Sequence, residues 1–218
     1  MISKFTNWLI KTDAWGLLLR GASKLNKKIS GHPASFPMSE YHSLIELFRN
    51  DIMSDQDVLV FATTDVRSVI SRGIRYLTKG HFNHAGFIVF SDNGFPQAFH
   101  VTTDGLVKQD LLELLRNIDY ICINKLSLTE DNYKKAEERF NYLSDISQSI
   151  KYDYNLMLEN GDDKFYCSEA SFFILDGLYD DIDLKPEMIY GIKVFPPSAV
   201  TRLGEIIYTN HPLLGKKK

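Results

Sequence analysis

Apolar positions along the chain fall into short runs separated by polar punctuation, and the spacing within the runs changes from element to element. The run DVLVFATT at 57–64 is β-branched and apolar, which predicts a buried strand. The next stretch, DVRSVISRGIRYLTKG, puts Val66, Val69, Ile70, Ile74 and Leu77 on one helical face, with Gly80 in the stop position. That pattern predicts a helix of about four turns. Strand spacing returns in HAGFIVF (84–90) and QAFHVTT (97–103), and the Ser-Asp-Asn-Gly between them signals a hairpin. A short helix at 109–116 leads to a strand, DYICINKL (119–126). LTEDNYKKAEERFNYLSDI (128–146) then reads as a helix capped by Thr129 and opened by acids. Cys167–Leu178 reads as a further helix, and YGIKVFPPS (190–198) as a strand ended by two prolines. Strands and helices in this order predict an α+β fold with a mostly antiparallel sheet, and there is no internal repeat.

The segment ahead of this pattern has a different character. GHPASFPMS (31–39) is a break, and residues 40–50 predict a short helix. Within residues 1–30, Phe5, Trp8, Leu9 and Trp15 recur at near-helical spacing, while Lys4, Lys11, Arg20, Lys24, Lys27 and Lys28 face a single acid, Asp13. Two readings stay open: a helix or helix pair packed on the domain with its lysines solvated, or a basic, Trp-bearing helix lying on an anionic membrane surface. Lys11 and Asp13 interrupt the apolar run short of signal-peptide length.

Composition narrows the class. A chain of 218 residues with 44% hydrophobic and 24% charged residues suits one large domain with an extension. A net charge of −3 gives no global argument for nucleic acid or membrane. No apolar run approaches the ~20 residues of a membrane span. Glycine-rich phosphate loops, Gly-x-Ser-x-Gly elbows and nucleic-acid stripes are missing, and nothing calls for a cofactor. The two cysteines, Cys122 and Cys167, form neither a disulfide framework nor a Cys-x-x-Cys metal site. Such sparse cysteine suits a reducing compartment. With no clear signal peptide or membrane span, a cytoplasmic location is expected, with membrane-peripheral contact through residues 1–30 as the alternative.

Candidate chemistry centres on Cys167. Cys122 sits mid-strand among isoleucines and reads as core. Cys167 opens a predicted helix, where unpaired N–H groups and the helix dipole favour a thiolate, lower its pKa and suit an oxyanion. A small buried residue would also fit there. Of six histidines, His84 opens one strand of the predicted hairpin and His100 lies in the other, opposite or one pair apart. One could therefore orient the other as a triad orients its base. His81, His84, His100 and Cys167 also have the look of zinc ligands, but His81 falls in a loop and helical i,i+4 spacing is absent, so no metal is expected. Asp162 and Asp163 read as loop and cap chemistry or as selectors of a cationic substrate, Glu169 as compensation of the helix dipole, and Asp153 as a loop anchor.

FNHAGFIVF (82–90) and KYDYNLMLENGDDKFYCSEASFF (151–173) resemble the circularly permuted papain-like enzymes of the YaeF/YiiX type, within the NlpC-type cysteine peptidase superfamily. DVLVFATTD and the helix after it stand where that family has its first strand and helix, so the resemblance spans residues 55–200. It implies a permuted papain-like fold for a catalytic domain at 51–210 and leaves the first fifty residues unexplained; their own pattern makes 1–50 an N-terminal helical extension, and 211–218 is a tail. It also implies Cys167 as nucleophile, His84 as general base and His100 in the third polar position, where the permuted relatives often have glutamate. Tyr166 would line the site or assist the oxyanion, with Ser168 beside it. The implied activity is thiol hydrolysis of an amide, a peptide or cell-wall-type isopeptide bond, through an acyl-enzyme. Acyltransferases such as lecithin retinol acyltransferase belong to the same superfamily, so a lipid ester or thioester substrate is the alternative. A non-catalytic binding module is the third reading. Oligomeric state stays open.

Overall fold

The computed structural model describes residues 36–49, 56–66, 68–153, 158, 164–178, 184–189 and 191–214. The basic segment 1–30, Asp162, Asp163 and the last lysines lie outside the described residues. Ten strands are described: β1 (Asp57–Thr64), β2 (His84–Phe90), β3 (Pro96–Thr102), β4 (Gly105–Asp110), β5 (Tyr120–Ser127), β6 (Lys151–Tyr152), β7 (Lys164–Phe165), β8 (Glu187–Ile189), β9 (Ile192–Val194) and β10 (Glu205–Thr209). The helices are α1 (Met38–Arg49), α2 (Val69–Thr78), α3 (Leu111–Leu115), α4 (Glu130–Asp145) and α5 (Cys167–Leu175), followed by a 3-10 turn at Pro197–Arg202.

Six strands form one antiparallel sheet in the order β10-β5-β1-β2-β3-β4, and α+β is the fold class. Strand alternation sends Val60, Ala62, Ala85, Phe87, Phe99 and Cys122 to one face. Ile74 of α2, Ala136 of α4, Ile174 of α5 and Ala199 of the 3-10 turn cover that face. Leu59, Phe61, Ile88, Ala98 and Ile123 point to the other face, which Leu44 of α1 and Leu111, Leu114 and Leu115 of α3 cover. Each such buried side chain contributes roughly 1.5–3 kcal/mol. The sheet is thus the middle layer of three. Among the described residues no helix is long and apolar enough to cross a membrane.

Most sequence expectations have a counterpart here, with shifted ends. The helix expected from Asp65 begins at Val69, because Ser68 caps it by accepting from the Ser71 N–H at 3.3 Å. Val66 lies before it, 38% exposed, its N–H donated to Asp119. The left-handed residue ending this helix is Lys79, at φ 51°, rather than Gly80. Gly80 leaves room of another kind: a Cβ there would meet Ser198 Oγ and force that hydroxyl to turn. The helix expected to reach Leu178 ends at Leu175, where Asp176 and Gly177 (φ 69°) turn the chain. Of the strand expected at 190–198 only Ile192–Val194 forms, since Pro196 and Pro197 start the 3-10 turn. β4 and β10 were not expected at all. They are the two edges of the sheet.

Candidate active site

The site is assembled where β2 begins and α5 begins. The β2–β3 ladder pairs Phe87 with Phe99 and runs outward to the turn, so one further step sets Gly86 opposite His100. His84 is two residues before Gly86, hence on the same face as His100 and diagonal to it. The rings meet: His84 Nε2 lies 2.5 Å from His100 Nδ1, with centroids 4.8 Å apart and planes at 77°. Phe61, paired with Gly86 from β1, lies against both rings at 6.2 and 6.0 Å. Gly86 makes this possible. A Cβ at that position would come within 2.6 Å of Phe99 O, 2.7 Å of His100 Cβ and 2.8 Å of Phe61 Cζ.

Cys167 is the first residue of α5 and is buried. Its thiol accepts from the backbone N–H of Ala85, the residue after His84, and from N–H groups at its own helix start. The helix N-terminus and the histidine strand therefore converge on one sulfur. Burial outweighs these donors and pushes the Cys167 thiol up to about 11. Position at a helix N-terminus alone predicted the opposite, a lowered value; full desolvation of the thiolate is the larger effect. Burial likewise holds His84 well below the usual imidazole range, helped by its neighbour His100, and lowers His100 to about 4. Near neutral pH the Cys167 thiol and both imidazoles are therefore neutral.

Tyr166 and Ser168 flank the cysteine, and both reach the same distant backbone unit. Ser168 Oγ donates to Phe195 O at 2.6 Å, and the Phe195 N–H donates to Tyr166 Oη at 2.8 Å. Burial raises Tyr166, so it stays a neutral phenol. Glu169 reaches back to the Tyr166 N–H at 3.2 Å and closes the first turn. At the other end of α5, the Arg139 guanidinium donates to Phe173 O, Ile174 O and Asp176 O at 3.2, 3.1 and 2.7 Å. A short helix is thus held at both ends. Asp153 is buried, its N–H donated to Phe165 O.

Of the residues expected from the sequence, His84 and His100 meet ring to ring, Cys167 meets the backbone N–H of Ala85 beside His84, and Tyr166 and Ser168 turn toward Phe195. Cys122 lies in the core mid-strand, beside Asn124. His81 stands outside the histidine pair, its ring 5.4 Å from that of His211. Three contributors were not anticipated: Gly86, the Ala85 N–H and the Phe195 backbone. The His-x-Gly spacing itself carried a signal for Gly86. Nothing local foretold Phe195, which is 29 positions from Tyr166.

No family model matches the chain, and no curated protein matches it. Among solved structures it is similar to the metalloprotein YiiX from Escherichia coli O157:H7, at a TM-score of 0.53 and 17% identity, over 72% of this chain and 96% of that one. The likeness shows a shared fold.

Proposed function

We propose that the protein is a cysteine-dependent hydrolase that cleaves an amide bond, peptide or isopeptide, through an acyl-enzyme on Cys167. One observation carries this reading: the thiol at the start of α5 is met by the N–H of Ala85, next to His84, whose ring is in turn held by His100. His84 Nε2 is committed to His100 Nδ1, so Nδ1 is the nitrogen left for the thiol. For Nδ1 to act as a base, Nε2 must carry the proton and donate to His100 Nδ1; His100 then keeps its own proton on Nε2.

The Cys167 S–H proton passes to His84 Nδ1 as the sulfur attacks the acyl carbon and forms the C–S bond. Backbone N–H groups at the start of α5 hold the oxyanion. The C–N bond then breaks and His84 returns the proton to the departing amine. Water, deprotonated by His84, cleaves the thioester. Because the resting pair is neutral, proton transfer accompanies attack instead of preceding it. Tyr166 and Ser168 act as positioning residues, fixing the helix start to Phe195.

YiiX is described as a metalloprotein. The histidine pair here does not fit a shared metal, because the facing nitrogens are 2.5 Å apart. Two tetrahedral zinc ligands stand roughly 3.3 Å from each other. No cluster of three or more metal-ligating side chains occurs among the described residues.

The test is turnover of a panel of N-acyl anilides, thioesters and esters sharing one acyl group, with intact-mass analysis of the quenched protein. Cys167→Ala abolishes turnover, His84→Ala lowers it about 10²–10⁴-fold, and the acyl increment maps to Cys167. Turnover that survives Cys167→Ala sinks the reading. Ester turnover without amide turnover moves the substrate to the lipid-acyl class.

A further inference from the structure

Beside the site is a cavity of about 680 Å³, between the end of α2, the strand β8 and the 3-10 turn. Its size falls in the range of small-ligand pockets, about 300–1,000 Å³. Leu77, Ile189 and Pro196 supply apolar lining, and Lys79, His81 and Arg202 supply nitrogen donors. Lys79 and Arg202 are exposed at the rim. Among the described residues no carboxylate pairs with Lys79. Arg202 reaches Glu187 at 2.9 Å, joining the 3-10 turn to β8.

The walls of this cavity are continuous with the catalytic elements. Lys79, Gly80 and His81 belong to the loop that delivers His84, and the Phe82 N–H donates to Ser198 Oγ, itself a lining atom. A Cβ at Gly80 would meet Ser198 Oγ, so a larger residue would turn that hydroxyl away from the Phe82 N–H. Pro196 follows Phe195, the residue that Tyr166 and Ser168 grip on either side of Cys167. A ligand here touches the loop carrying the base and the segment fixing the nucleophile.

We infer that this cavity binds the non-reacting part of the substrate, an apolar body bearing one anionic group, a carboxylate or a phosphate monoester. The apolar part lies against Leu77, Ile189 and Pro196. The anion sits between Lys79 and Arg202 and takes over the guanidinium that Glu187 holds in the free protein. A cation is disfavoured by the same pair, and a neutral group leaves Arg202 with Glu187. The pocket's part in catalysis rests on the thiol-hydrolase reading; binding itself does not.

The full-length protein is titrated with decanoate, decyl phosphate, decanol and decyltrimethylammonium below their micellar concentrations. Backbone amide shifts of Gly80 and His81 are followed by NMR. Both anions shift these amides with saturation, decanol binds at least fivefold more weakly, and the ammonium leaves them unmoved. Lys79→Gln and Arg202→Gln, both at exposed positions, each weaken anion binding about five- to tenfold. A preference for phosphate or for carboxylate names the head group within the class. Equal binding of the ammonium and the anions, unmoved amides with every probe, or affinities unchanged in both variants overturns the inference. If the amides stay unmoved while Cys167→Ala abolishes turnover, the pocket falls and the thiol reading stands. If the anions bind while turnover ignores Cys167, the reverse holds.

Discussion

Gly86 shows how one missing side chain makes room for two. His84 and His100 need the same stretch of sheet surface, and the space between them exists because residue 86 has no Cβ. Gly86→Ala drives a methyl group into the Phe99 carbonyl, His100 and Phe61. It should cost about 1–3 kcal/mol as an overpacked site, read as a lower urea midpoint with unchanged slope. Its catalytic loss should approach that of His100→Ala, since both uncouple the imidazoles. The histidine pairing was legible beforehand, because an Asp-Asn-Gly turn sets hairpin register. The protonation state of the thiol was not. Helix position argues for a thiolate, whereas burial is a property of the whole fold and dominates here. The rate of Cys167 alkylation should therefore climb with pH toward about 11. A plateau from mildly acidic pH upward would instead mark a preformed ion pair.

At the scale of elements, α5 carries the proposed nucleophile and is tied to neighbouring chain at both ends. Tyr166→Phe leaves the Phe195 N–H without its partner in a buried setting, at a cost of about 1–3 kcal/mol. Ser168→Ala strands the Phe195 carbonyl in the same way. Each should lower kcat more than it raises KM, because it shifts the nucleophile and not the pocket. Steady-state kinetics on the best panel substrate checks this. Arg139→Met removes the single guanidinium nitrogen shared by three carbonyls at the helix C-terminus and should destabilise by about 1–2 kcal/mol. The strands of this sheet that the sequence announced, β1, β2, β3 and β5, lie inside it, with a neighbour on each side. Both faces of an inner strand are covered, so its residues form near-continuous apolar runs. GLVKQD and EIIYT are edges: each has one neighbour and keeps exposed or half-exposed positions along its length. Gln109 and Asp110 therefore read as the start of the helix at 109–116, and β4 was missed.

For the molecule as a whole, the buried ionisable groups bound the pH range of stability. His100 falls from 6.5 to about 4 on folding, and His84 moves in the same direction. Below pH 6.5 the unfolded chain thus binds more protons than the folded one, and stability falls as pH drops toward 4. The effect is on the order of a few kcal/mol for a shift this large. Both thiols move the other way, from 9.0 to about 11, so stability also declines as pH rises through that interval. Thermal unfolding across pH should show a plateau from about 6.5 to 9, its acid limb flattened by His100→Asn. An acid limb unchanged in that variant would assign the loss to other groups.

The order of the chain adds a consequence in time. Five of the six strands of the central sheet, with both histidines, precede Cys167. On a ribosome, where chains fold from the N-terminus onward, the histidine pair is in place while Cys167, the proposed nucleophile, is still unmade. The late segment from 164 onward then supplies the sulfur, the Phe195 backbone that fixes it and the edge strand that closes the sheet. A nascent chain released before residue 164 would hold its imidazoles in place without the sulfur, so under the thiol-hydrolase reading competence waits for the segment from 164 onward.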